Sequence, residues 1–101
     1  MNLSNTNIDA EFDLEALEKE LDGAGEGWAV YLHNDDDHEM VEVTNQLMLA
    51  LDCDSTQAWR IMMKAHTNGV ALVIITGKSE AEKIADVLRE IKLKVDVESV
   101  A

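Results

Sequence analysis

Proline is absent from this chain of 101 residues, and cysteine occurs once. The missing proline carries no functional reading. The single thiol, Cys53, excludes an intrachain disulfide and leaves any cysteine-based metal site incomplete. A cytoplasmic home is therefore expected. Basic residues are scarce as well: 8 Lys and Arg stand against 21 Asp and Glu, for a net charge of −13. Nucleic-acid phosphate and anionic membrane surfaces would repel such a chain, so neither is an expected partner. Cationic groups and basic protein surfaces fit it better. No apolar run approaches the roughly 18 residues of a membrane span, and the opening residues lack both the basic and the apolar region of a signal peptide.

This length makes one small domain with one modest core. Little room remains for a deep substrate cleft, which favours a binding module over an enzyme. Residues 1–26 carry eight acids and one lysine, and they end in the run Asp22-Gly23-Ala24-Gly25-Glu26-Gly27. They read as an acidic, flexible arm with a hinge, ahead of a folded domain at 27–101. Within the arm, Asp13 is placed to cap a short helix that would show Leu14, Leu17 and Leu21 on one side and stop at Gly23. Alone it would be marginal, so a solvated tail is expected.

From Trp28 to Leu32 the pattern alternates in β-forming residues and predicts a strand. A helix is predicted over about 38–51, with Met40, Val43, Leu47 and Leu51 on one face and Asp36 or Asp37 as N-cap. The next, over 56–68, is capped by Asp54 or Ser55, turns Ala58, Ile61, Met62 and Ala65 inward, and ends at Gly69. Val70 to Thr76 is an apolar β-branched run that suits a strand covered by helices. Ser79 and Glu82 have the spacing of a capping box for a third helix with Ala81, Ile84, Ala85, Leu88 and Ile91 inward. Leu93, Val95 and Val97 alternate with charges in a last strand. The order strand, helix, helix, strand, helix, strand predicts an α+β fold, a three-stranded, mainly antiparallel sheet packed against three helices.

Between the first strand and first helix lies His33-Asn34-Asp35-Asp36-Asp37-His38. Adjacent aspartates repel by an amount comparable to a surface ion pair, about 0.2–1 kcal/mol. A turn needs only one Asp or Asn, so the surplus charge points to a ligand outside the turn. Metal is the first thought, with His33, His38 and His66 near carboxylates. The two histidines of the turn are five residues apart, however, and no metal motif is matched; no metal and no cofactor are expected. For nucleophilic catalysis only Cys53, Ser55 or a threonine would serve, and none sits in a recognisable elbow. His66 lies one turn after Met62, in the last helical turn before Gly69, where the dipole favours positive charge. Met40, Met48, Met62 and Met63 add soft apolar surface. Carboxylate, amide and imidazole beside methionine suit a cation attached to an apolar side chain, and a free peptide N-terminus with a bulky first residue is such a ligand.

These residues resemble a known family. Val30-Tyr31-Leu32-His33-Asn34-Asp35-Asp36 followed by Met40, Ala58 with Met62, Ala65-His66 before Gly69, and Ala81-Glu82 opening the third helix are similar to ClpS, the N-degron adaptor of the ClpA–ClpP protease. The similarity spans about residues 28–98. It implies that Asn34, Asp36 and His66 hold a substrate's α-amino group, with Asp35 shaping the turn. It also implies that Met40 rejects β-branched first residues and that Leu32, His38, Val43, Met62 and Ala65 line the side-chain pocket. The implied ligands begin with Leu, Phe, Tyr or Trp, and the arm would engage a ClpA-type AAA+ unfoldase working with ClpP. Ala65 replaces the larger aliphatic residue usual in the family, which predicts a roomier pocket favouring aromatic side chains. At the family's unfoldase-docking positions stand Ser79 and Ile84, leaving Glu80, Glu82 and Lys83 as the expected docking residues. The connection before the last strand is shorter than usual and lacks the family's His-Pro. A ClpS-fold interaction module without degron delivery is the alternative; the joint presence of Asn34, Asp36, Met40 and His66 favours the adaptor.

Overall fold

A computed structural model describes residues 27–100. The arm at 1–26, with its expected helix ending at Gly23 and its glycine-rich hinge, lies outside them. Six elements follow in the expected order: β1 Trp28–His33, α1 Met40–Leu51, α2 Ser55–Asn68, β2 Val70–Thr76, α3 Lys78–Arg89 and β3 Val95–Ser99. The strands form one antiparallel sheet in the order β2-β1-β3, so the first strand is the central one. Leu32 faces Ala71 on one side and Val95 on the other. The register slips by one residue between Val30 and Tyr31, a bulge that sharpens the local twist.

Alternation along β1 sends Val30 and Leu32 to the helical side. There they meet Val43 and Leu47 of α1, Met62 and Ala65 of α2, and Ile84 and Leu88 of α3 in one buried cluster. Leu32, Leu47 and Leu88 are the largest wholly buried side chains of the core with Val30. Burying each is worth about 1.5–3 kcal/mol, which is why a helix as polar on its outer face as α3 stays docked.

The ends of the helices differ from expectation in two places. α1 begins at Met40 with Glu39 as N-cap and no side-chain cap, so neither Asp36 nor Asp37 caps it. The chain is still turning at those residues, because Asp35 draws the Asp37 N–H back to its own carboxylate. α3 begins at Lys78 with Gly77 as N-cap. Ser79 therefore lies inside the first turn, where it cannot form the expected capping box with Glu82. The caps of α2 follow the sequence. Asp54 accepts the Gln57 N–H at 2.9 Å, and Gly69, at φ 89°, closes the helix with a bond to the Ala65 carbonyl.

Ile91 falls just beyond α3, and Leu93 is buried ahead of β3. Their short connection is fastened at both ends: Lys92 takes a left-handed φ of 69°, and Arg89 donates to the Val95 carbonyl at 2.7 Å. It brings Leu93 beneath the turn that follows β1.

Candidate functional site

The acidic turn is held on three sides. The His33 N–H donates to the Lys94 carbonyl at 3.0 Å, and the Asn34 N–H donates to the Gly69 carbonyl at 2.9 Å. Asn34 is thereby tied to the end of α2, the helix that carries His66. The third tie is His38, whose Nδ1–H donates to Asp35 at 2.7 Å and whose Nε2–H donates to the Ile91 carbonyl. Only the doubly protonated ring donates from both nitrogens, so His38 sits in the turn as an imidazolium.

The local electrostatics agree. Burial alone would lower the His38 imidazole, but the bonds to Asp35 and Ile91 and the charges of Asp35 and Glu42 outweigh it and raise the value above 6.5. Burial alone would likewise raise the Asp35 carboxyl. The Asp37 N–H, at 2.6 Å, and His38 outweigh it and hold the carboxyl below 3.8. The two side chains are only 12–14% exposed. Asp35 is thus used up inside the turn, while Asp36 stays exposed at its surface.

Behind the turn lies a cavity of about 150 Å³, a size that can admit a benzene ring. Every residue expected at the amine site and in the pocket lines it: Asn34, Asp35, Asp36 and His66, with Leu32, His38, Met40, Val43, Met62 and Ala65. Leu32, Val43, Met62 and Ala65 are buried and make an apolar floor. Asp36, Met40 and His66 are exposed and form the mouth. At 3.5 Å, the Asn34 side-chain nitrogen is directed at Asp36, which leaves its carbonyl oxygen as an acceptor. A ligand that is apolar at one end and cationic at the other matches this arrangement.

Comparison with known proteins identifies the scaffold. The family model described as ATP-dependent Clp protease adaptor protein ClpS matches residues 24–96. The chain belongs to the ClpS family. This is a family of adaptors of the ATP-dependent Clp protease. A ClpS adapter protein of Synechococcus elongatus is 39% identical over 72 residues, covering 70% of this chain and 76% of the relative. Among solved structures, ClpS2 of Agrobacterium tumefaciens bound to L-phenylalaninamide superposes with a TM-score of 0.69 at 26% identity, over 73% of this chain and 96% of that one. The α+β fold is accordingly the ClpS fold.

Two cavity residues were not assigned to the pocket from sequence. Leu93, expected as the first alternating position of the last strand, lies instead in the connection ahead of β3, buried against the turn. His33 had a signal, since it opens the acidic turn; it lines the cavity and bonds Asp96 at 2.7 Å. The residues expected to dock an unfoldase lie elsewhere. Glu80, Glu82 and Lys83 are exposed on α3 and none of them lines the cavity, whereas Ile84 is buried and presents nothing to a partner.

Proposed function

We propose that this ClpS-family protein is an N-degron adaptor. It binds proteins whose free N-terminus begins with Leu, Phe, Tyr or Trp and delivers them to a ClpA-type unfoldase working with ClpP in the cytoplasm, without catalysis of its own. The observation that carries this is the meeting of Asn34, Asp36 and His66 at the mouth of an apolar cavity. An α-ammonium group has three N–H donors, and an amide oxygen, a carboxylate and an imidazole ring nitrogen are groups that can accept them. Burying the first side chain supplies about 1.5–3 kcal/mol, so the charge-assisted amine contacts supply much of the remaining selectivity. Met40 at the rim limits branching at the first side chain's β-carbon. L-Phenylalaninamide, bound by the Agrobacterium relative, has the same chemistry: a free α-amine, a benzyl group, and an amide where a peptide would continue. The exposed Glu80, Glu82 and Lys83 of α3 are the residues offered to the unfoldase.

Fluorescence anisotropy with a Phe-initiated peptide, its N-acetylated twin and the His66→Ala protein tests the pocket. Binding that acetylation abolishes and His66→Ala weakens by about tenfold or more, some 1.4 kcal/mol, is expected. Equal binding of the two peptides would leave a ClpS-fold interaction module without degron recognition. Degradation of a Phe-initiated reporter by ClpA and ClpP, with and without the protein, tests delivery.

A further inference from the structure

Beyond the mouth of the degron cavity, an apolar strip follows the seam between α1 and α2. Trp59, Met63 and His66 fall four and three residues apart on α2, so they share one face of that helix. His66 lines the cavity, whereas Trp59 and Met63 do not. α1 and α2 pack against each other and are joined by residues 52–54, a connection short enough to make them antiparallel. The start of α1 therefore lies beside the end of α2, and Met40 meets His66 at the mouth. Gln46 donates to the Val87 carbonyl of α3, which turns the opposite flank of α1, with Val41 and Met48, toward α2. Val41 is 63% and Trp59 44% exposed, while Met48 and Met63 are half-buried. Contiguous apolar surface of this kind marks a contact site.

We infer that the strip is a second subsite for the polypeptide whose first residue fills the cavity, and that it takes an apolar side chain at about the fourth position of the degron. The inference rests on the degron reading and adds a sequence preference to it. Continuity selects this occupant, because a polypeptide held at His66 must leave the cavity past the end of the strip. Charge selects it too. Thr44 and Asn45 fill the positions between Val41 and Met48, so the strip carries no Asp, Glu, Lys or Arg in a chain that is 29% charged. Arg60 and Lys64 line a separate concavity on the other flank of α2, with Cys53 and Ile61, and the exposed acids Asp36 and Asp37 belong to the turn. An apolar, uncharged segment therefore finds its match along the helices. The spacing sets the position. Trp59 lies seven residues before His66, about 10 Å along the helix axis. An extended chain advances about 3.3 Å per residue, so the third residue after the amine comes level with the indole. A ligand as short as L-phenylalaninamide ends before the strip.

Two peptides that open Phe-Ser-Ser-Leu and Phe-Ser-Ser-Ser and share one labelled tail are titrated against the parent protein and its Trp59→Gln variant. The parent is expected to bind the leucine peptide about fivefold more tightly. In Trp59→Gln that preference is expected to vanish, with the affinity for L-phenylalaninamide kept, which also shows that the variant is folded. Val41→Gln, at a more exposed position on the facing helix, is expected to narrow the preference as well. Equal binding of the two peptides by the parent would overturn the inference and leave the amine pocket standing, as would a leucine preference that survives both substitutions. A Trp59→Gln protein that binds both peptides as the parent does but slows reporter degradation would give the strip to the unfoldase and equally overturn it. Binding of neither peptide would overturn the degron reading and this inference with it.

Discussion

His38 and Asp35 are bonded at 2.7 Å inside the turn, and the other His38 nitrogen donates to the Ile91 carbonyl. A cation thus pins the acidic turn to the connection between α3 and β3. Its effect on stability depends on pH in a definite sense. His38 has a folded value raised above 6.5, so its contribution is complete below 6.5 and is lost as pH rises through the raised value. Asp35 has a folded value lowered below 3.8, so its contribution is present above 3.8 and is lost as pH falls through the lowered value. Between those limits the pair is fully formed. Asp35→Asn is expected to cost about 1.5–3 kcal/mol at mildly acid pH and distinctly less in alkaline solution, where His38 is neutral. Urea denaturation of both proteins across that range checks it; a penalty that does not change with pH would refute the imidazolium.

Gly69 has a φ of 89°, and a Cβ placed on it meets no atom within 4 Å. Gly69→Ala is therefore a test of backbone strain alone, expected to cost about 1–2 kcal/mol, with Gly69→Asn milder. Because the Gly69 carbonyl holds Asn34, the Ala variant should also bind Phe-initiated peptide more weakly. Thermal denaturation and anisotropy on the same variants separate the two effects.

Ala65 is 3% exposed in the cavity floor. Ala65→Val puts two methyl groups into the space available to the ligand. The expected result is about a tenfold loss, some 1.4 kcal/mol, for Phe- and Trp-initiated peptides and little change for Leu. An equal loss for all three would show that Ala65 does not set side-chain preference.

Lys83→Glu reverses charge on the exposed face of α3. Slower degradation of a Phe-initiated reporter with unchanged peptide affinity is expected. Unchanged degradation would move the unfoldase contact away from α3.

Much of this architecture was legible in the residues because periodicity and punctuation agreed. The run Val70–Thr76 is a strand, and the glycine after α2 is the left-handed stop it was read to be. Where several residues competed for one role, local rules failed. Asp36 and Asp37 each offered a cap for α1, but Asp35 draws the Asp37 N–H back into the turn and the helix starts later, with Glu39 as its N-cap. Ser79 and Glu82 had the right spacing, yet Gly77 starts the helix ahead of them. The cavity residues from regular elements were readable from the resemblance, whereas Leu93 and the Ile91 carbonyl come from a connection whose course only tertiary packing decides.

The most direct test of the central claim is a residue-resolved NMR titration of the full-length protein with L-phenylalaninamide and with its N-acetylated form. Shifts centred on Asn34, Asp36, Met40 and His66 with the free amine, and none with the acetylated compound, are expected. Shifts centred on Cys53 and Ile61, or equal responses to the two compounds, would contradict an amine-reading pocket at the acidic turn.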